Sequence, residues 1–117
     1  MSALALAACS SALSPEDFYG IWGASDARLT LSTTVARFES SCWGGELAVP
    51  IQVSGNAFNA VGTFNAQGGA GIPDSRIVTV RGEKDGSRLT LRIEPQSLGL
   101  GPYSMSRNAN PQIPGCP

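Results

Sequence analysis

The sequence predicts an all-β protein, a small antiparallel up-and-down β-barrel of about eight strands. From residue 18 onward, apolar side chains alternate with polar ones at a period of two, as in half-buried strands. These runs are short and follow one another at intervals of about 8 to 14 residues, which is typical of a sandwich or a barrel. Charged residues make up 15% of the 117 residues, against about 25% in an average soluble protein. One domain of short strands and tight turns follows from these observations.

The clearest strands are RLTLS at 28–32 and RLTLRIE at 88–94, in which aliphatic residues alternate with arginine and threonine. A hairpin is predicted around Asp85-Gly86, because this dipeptide accepts the positive φ of a tight turn. Ser54-Gly55-Asn56 predicts another turn, and we expect the glycine-rich stretch 65–75 to be a mobile loop at the barrel mouth. The remaining alternating runs are YGIWGA (19–24), VARFES (35–40), ELAVPIQV (46–53), NAFNAVGTF (56–64), RIVTVRGE (76–83) and GPYSMSR (101–107).

Composition argues against several kinds of chemistry. The net charge is -1 and no basic run exists, so we expect no nucleic-acid partner. Histidine is absent, which removes the commonest metal ligand and the commonest general base, and the cysteines form no Cys-X-X-Cys pair. The nine acidic residues are scattered, and no spacing selects a catalytic pair. The sequence therefore predicts no catalytic residue, no metal site and no cofactor, so the protein is not expected to be an enzyme.

The N-terminal stretch MSALALAACSS is small and apolar up to Cys9. Its Leu6-Ala7-Ala8-Cys9 tetrapeptide resembles the bacterial lipobox, at which a signal peptide is cleaved and the new N-terminal cysteine is acylated. This resemblance implies a signal remnant at 1–9, lipidation of Cys9, a tether at 10–17 and a barrel domain at 18–117. The protein would then be exported and held by lipid on a membrane of the bacterial cell envelope. The alternative is an alanine-rich terminus with an incidental thiol.

The three cysteines allow three disulfides, 9 with 42, 9 with 116, or 42 with 116. If lipid occupies Cys9, only the pair Cys42 and Cys116 is left. Such a disulfide would hold the proline-rich C-terminal tail against the domain, and an oxidising compartment outside the cytosol favours it. Unpaired thiols are the alternative.

Gly20-Ile21-Trp22 resembles the Gly-X-Trp motif that opens the first strand of lipocalins and related calycin barrels. In those barrels an arginine from the last strand lies across the tryptophan. By this resemblance Arg107, which ends the last predicted strand, would stack on Trp22 and close one end of the barrel. The alternative is that Trp22 is ordinary core and Arg107 an exposed charge.

Residues 18 to 116 also resemble a family of small exported bacterial lipocalin-like barrels. The shared features are the Trp-Gly opening, RFESSC, VGTF, an aliphatic hairpin, a last strand that ends in arginine and a terminal cysteine. Members of this family are mostly uncharacterised, so the resemblance implies a fold and a disulfide but no activity.

Three functions remain open for such a barrel. The main expectation is a non-catalytic binding or structural module of the envelope, which meets an envelope protein through its surface. The first alternative is a lipocalin-type carrier of a small apolar ligand, since an eight-stranded barrel is either filled by side chains or holds one ligand. The second is a periplasmic protease inhibitor that inserts SSALSPED (10–17) into an active-site cleft. Residues predicted to face the interior, and therefore a ligand, are Phe38, Phe58, Phe64, Tyr103 and Met105.

Overall fold

The computed structural model describes residues 13–66 and 74–114, and the secondary structure of this part of the chain is almost entirely β. No α-helix occurs in these two ranges, and the helical elements there are two short 3₁₀ turns, Pro15–Phe18 and Gln96–Leu98. The strands are β1 (Gly20–Gly23), β2 (Ala27–Leu31), β3 (Ala36–Ser40), β4 (Trp43–Leu47), β5 (Gln52–Ser54), β6 (Ala57–Ala66), β7 (Ser75–Asp85), β8 (Arg88–Glu94) and β9 (Tyr103–Arg107).

The strands close into an antiparallel ring with a simple up-and-down order. Going round the ring, the order is β4, β3, β2, β1, β9, β8, β7 and β6, and a β4–β6 pairing closes it. The short β5 adds to the same edge of β6, where Gln52 lies opposite Asn59, while Leu47 of β4 lies opposite Gly62. The nine strands therefore occupy eight positions, which confirms the predicted closed eight-stranded barrel.

One predicted strand is interrupted in the structure. We predicted ELAVPIQV (46–53) as a single alternating strand, but residues 48–51 leave the sheet between β4 and β5. Pro50 has no N–H to donate to a neighbouring strand, which explains why regular pairing stops here. Leu47 and Ile51 are buried as the alternation requires, whereas Val49 on the connecting segment is 39% exposed. The prediction of one continuous strand was wrong at this point.

The predicted hairpin around Asp85-Gly86 and the predicted turn at 54–56 are confirmed. β7 and β8 meet with Asp85 opposite Arg88, and Gly86 in the turn between them has a φ of 63°. The turn between β5 and β6 contains Gly55, whose φ is also 63°. Both glycines adopt the left-handed backbone that other residues enter only at a cost of about 1 kcal/mol or more.

The core occupies the interior of the ring. In β8, Leu89, Leu91 and Ile93 point inward and are buried, while the arginines between them are exposed. The same alternation runs through β2 and β3, so the wall has one apolar and one polar face. Among the described residues, those with no exposed surface are Phe18, Trp22, Ala27, Leu29, Phe38, Ala57, Phe58, Phe64, Val80, Leu89, Leu91 and Met105.

The two ends of the barrel are built from different parts of the chain. We call the end formed by residues 13–18 and the turns at 32–35, 55–56 and 86–87 the N-terminal rim. The opposite end, formed by the turns at 24–26 and 41–42 and by residues 95–102, is the far rim. Residues 67–73 of the predicted loop 65–75 lie outside the described residues. The prediction was wrong at both ends of this stretch, because Asn65 and Ala66 belong to β6 and Asn65 pairs with Ser75 of β7.

Candidate functional site

Trp22 and Arg107, the two residues that the calycin resemblance paired, are in contact below the N-terminal rim. They lie opposite each other on β1 and β9, and the Arg107 Cζ is 4.3 Å from the centroid of the Trp22 ring. Trp22 has no exposed surface, and its indole N–H donates to the Phe18 carbonyl over 2.9 Å. The guanidinium covers a fully buried ring but is itself partly exposed, so this cation–π contact is worth about 0.5 to 2 kcal/mol.

Arg107 also binds the chain that precedes β1. Its Nη1 donates to the Tyr19 carbonyl over 2.6 Å, and its Nη2 donates to the Asp17 carbonyl. A planar guanidinium can make both bonds while it remains stacked on a ring, which the ammonium of lysine cannot do. Arg107 therefore joins the last strand to the first strand and to the segment before it.

The packed body of the protein starts before residue 18, where we placed the start of the barrel domain. Pro15–Phe18 form a 3₁₀ turn, and the Ser14 N–H donates to Asp17 Oδ2 over 2.8 Å. Phe18 is fully buried, and Leu13 packs against the core. The physical reason is that Phe18 inserts into the barrel, edge-on to Phe58 with ring centroids 5.3 Å apart. Only residues 10–12 of the predicted tether lie outside the described residues.

A second group of aromatic rings fills the half of the barrel nearer the far rim. Phe38 and Phe64 are stacked with centroids 5.1 Å apart and planes 8° apart, and both are fully buried. Tyr103 lies 5.7 Å from Phe38 at a tilt of 46° and is partly exposed. Burial raises the pKa of the Tyr103 hydroxyl, and the charge of Asp26 raises it further. Three of the five predicted interior residues thus form one cluster.

The other two predicted interior residues, Phe58 and Met105, are also fully buried. Phe58 faces Gly82 across the β6–β7 pair, and a Cβ at Gly82 would lie 2.3 Å from the Phe58 ring. Glycine is therefore required here for space and not for an unusual backbone angle. The sequence analysis did not single out Phe18 or Gly82. Ser14 and Pro15, typical residues for the start of a helical turn, were the available signal for the first of them.

An open groove of about 760 Å³ lies on the outer wall between β3, β4 and β6. Gly44, Gly45 and Gly62 line it with backbone. An ion pair between Arg37 and Glu46, 2.8 Å long, and the 53%-exposed Val61 border it. This groove is on the outside of the barrel. Of the five predicted interior residues, only Phe38 lines it.

The outer wall is crossed by ion pairs between neighbouring strands. Arg28 on β2 donates to Glu39 on β3 over 2.9 Å, and this hydrogen bond lowers the pKa of the Glu39 carboxyl. The pKa of Asp17 at the N-terminal rim is also lowered, mainly by the hydrogen bond from the Ser14 N–H. Neither carboxyl faces a second one in a cleft. Four carboxylates of the described residues pair with arginine, namely Glu39, Glu46, Asp74 and Glu83.

Of the cysteines, Cys42 lies in the turn between β3 and β4 at the far rim and is half-buried. Cys9 and Cys116 lie outside the described residues, so the predicted lipidation and the Cys42–Cys116 disulfide stay predictions. The described part of the C-terminal tail crosses the outside of β1 and β2. There the Asn108 N–H donates to the Ile21 carbonyl, and Arg28 donates to the Pro111 carbonyl over 3.4 Å.

Neither a cluster of metal ligands nor a membrane-spanning helix occurs among the described residues. No three His, Cys, Asp or Glu side chains among residues 13–66 and 74–114 lie close enough together to hold a metal ion. Over the same two ranges, no helix has the length and apolar character needed to span a bilayer.

Comparison with known proteins gives no match: no family model, no curated protein and no solved structure is similar to this chain.

Proposed function

We propose that this protein is a non-catalytic lipoprotein of the bacterial cell envelope that binds its partner, or serves as a structural module, through the outside of its barrel. The observation that supports this proposal most directly is the filled interior. Trp22, Phe38, Phe58, Phe64 and Met105 have no exposed surface, and all belong to one contiguous core cluster. Since an eight-stranded barrel has room either for side chains or for one small ligand, these side chains take the place that a carried ligand would need.

The shape of the N-terminal segment argues against the inhibitor alternative. An inhibitor of that kind needs an extended segment that enters a protease cleft. Here Ser14 and the turn Pro15–Phe18 are folded onto the rim, where Arg107 binds the Asp17 carbonyl and Phe18 is buried. Releasing the segment would expose Phe18 and leave the guanidinium without these acceptors.

The position of the tail supports the proposed Cys42–Cys116 disulfide. The Pro111 carbonyl is bound by Arg28 on β2, and β2 is the neighbour of β3, which leads into the turn with Cys42. Neighbouring strands lie about 4.8 Å apart, so β4, at the other end of the turn with Cys42, is about 10 Å from β2. The five residues from Pro111 to Cys116 can span up to about 17 Å. The pairing is therefore within reach of the tail.

Mass spectrometry tests the lipoprotein proposal. Intact protein extracted from a bacterial envelope is expected to carry a diacyl or triacyl increment on Cys9 and to gain two hydrogen atoms on reduction. A Cys9→Ala variant should lose the acyl increment and leave the membrane fraction. An unmodified mass at Cys9 in membrane-associated protein would overturn the lipid anchor, and an unchanged mass on reduction would overturn the disulfide.

An apolar fluorescent probe tests the filled interior. We expect no stoichiometric uptake of an anilinonaphthalene dye by the folded wild-type barrel. The matched control is Phe58→Ala, which opens a space in the same interior and should increase uptake if it remains folded by circular dichroism. Stoichiometric binding by the wild type, with displacement by a fatty acid, would favour the carrier alternative instead.

A further inference from the structure

The N-terminal rim is fixed to the segment that follows the proposed lipidation site. The Leu13 N–H donates to the Gly55 carbonyl over 3.1 Å, and the Leu13 side chain packs on the core. Farther along, Phe18 is buried and the carbonyls of Asp17 and Tyr19 are bound by Arg107. Leu13, the first described residue, is thus fixed at this rim and lies four residues after Cys9 in the sequence.

This short separation restricts where the barrel can lie. Four residues of fully extended chain span at most about 14 Å. β8 runs for seven residues between the rims, which at about 3.3 Å per residue and a tilt of about 40° corresponds to roughly 18 Å along the barrel axis. A lipid anchor at Cys9 can therefore hold the N-terminal rim against the headgroups while the far rim stays away from them.

The chemistry of the N-terminal rim suits a phospholipid surface. The tips of its turns carry neutral hydroxyl and amide groups, which can hydrogen-bond to phosphate and ester oxygens, and Val35 is 38% exposed among them. The charged side chains of this rim and of the strand ends next to it include the carboxylates of Glu16, Asp17 and Asp85 and the cations of Lys84, Arg88 and Arg107.

The part of the side wall that β2, β3 and β4 form is less suited to lie on lipid. It carries the Arg28–Glu39 and Arg37–Glu46 ion pairs, and the side chains of the second pair are 51% and 69% exposed. Laying this wall on the bilayer would remove water from charged groups that are now solvated, which is unfavourable.

From these observations we propose that the N-terminal rim is the membrane-docking face of the barrel, which leaves the outer wall and the far rim exposed for a partner. This inference rests on the proposed lipid anchor at Cys9. The rim would contact the phospholipid headgroups of the bilayer into which the acyl chains on Cys9 insert.

Lys84 offers a direct measurement, because it is the only lysine in the sequence and lies at the end of β7, next to this rim. The backbone N–H of Lys84 donates to the Asn56 carbonyl. The charge of the Lys84 side chain contributes to the lowered pKa of the Asp17 carboxyl. Lipidated full-length protein is added to preformed phosphatidylcholine vesicles and treated with a membrane-impermeant amine-acylating reagent. Peptide mass spectrometry then gives the rate of modification at Lys84.

The matched control changes only the distance between lipid and barrel. A Gly-Ser insert of about 20 residues after Ser11 has a root-mean-square reach of about 25 Å, which frees the rim from the surface. We expect Lys84 to react several-fold more slowly with the native spacing than with the insert. In a Lys84→Arg background, Ser25→Lys places the single lysine at the exposed 24–26 turn of the far rim. The rate at which this lysine is modified should not depend on the insert.

The possible outcomes are distinct. Equal Lys84 rates with and without the insert, or slower reaction of the Ser25→Lys amine with the native spacing, would overturn the docking orientation. Failure of the acyl anchor would appear earlier and differently, as protein with an unmodified Cys9 mass that does not stay on the vesicles.

Discussion

The two halves of the barrel interior are filled by different kinds of contact. Near the N-terminal rim, Trp22 is covered by the charged Arg107 and donates to the Phe18 carbonyl. Toward the far rim, Phe38 and Phe64 stack with no charged group between them. Trp22, Phe38 and Phe64 are all fully buried. The half near the N-terminal rim also uses the hydrogen bonds of Arg107, which join residues 88 and 90 positions apart in the sequence. The contacts near the N-terminal rim therefore also hold the first strand to the last.

Removal of the Trp22 side chain should have the largest effect and gives the strongest test of this difference. Trp22→Ala leaves a cavity and removes the ring beneath Arg107, so we expect the free energy of unfolding to fall by about 4 kcal/mol. Equilibrium urea unfolding followed by far-ultraviolet circular dichroism measures it. Trp43→Ala is the matched control, because Trp43 is only partly buried near the far rim, and it should cost about half as much or less. Equal losses for the two tryptophans would remove the distinction between the two halves.

Gly82 tests how tightly the N-terminal half is packed. Gly82→Ala places a Cβ within 2.3 Å of the Phe58 ring, and overpacking of this kind costs about 1 to 3 kcal/mol. The same substitution in a Phe58→Leu background should cost less, because the shorter side chain leaves room for the added methyl group.

A double-mutant cycle of the four proteins, measured by urea unfolding, gives the coupling energy between the two positions. Additive effects would show that the Cβ is accommodated in some other way than against Phe58. Gly86→Ala serves as a comparison without a steric clash, since no atom lies within 4 Å of a Cβ built there and only the positive φ opposes the change.

The smallest expected effect concerns the outer wall of the far half. The folded-state pKa of Glu39 is lowered by Arg28, so Glu39 contributes stability above its unfolded pKa of about 4.3, and this contribution is lost as the pH falls through the folded pKa. The Arg28–Glu39 pair is partly exposed, so we expect a contribution below about 1 kcal/mol.

Thermal unfolding from pH 6 down to pH 2 checks this sign. Glu39→Gln should lower the melting temperature slightly at pH 6 and show a shallower decline toward acid than the wild type. Asp17 at the other rim also has a lowered pKa, so part of the wild-type decline should persist in the variant. A variant curve parallel to that of the wild type would contradict the role assigned to the ion pair.

Much of the barrel could be predicted from local patterns. The alternation in β8 and the Asp85-Gly86 turn each depend on a few neighbouring residues, so they could be identified without long-range information. The break between β4 and β5 could not be placed by alternation, because Leu47 and Ile51 keep their inward phase across it. Pro50 was the signal that a continuous strand was unsuitable there.

The sequence by itself determined the all-β class, the number of positions in the ring and the residues that face inward, because a period of two records on every strand which face meets the core. Only the tertiary structure decided that Phe18 belongs to the interior, that Gly82 gives space to Phe58, and that residues 13–18 seal one rim. These features depend on contacts between residues distant along the chain. Such contacts exist only when the sheet has closed and brought its first and last strands together.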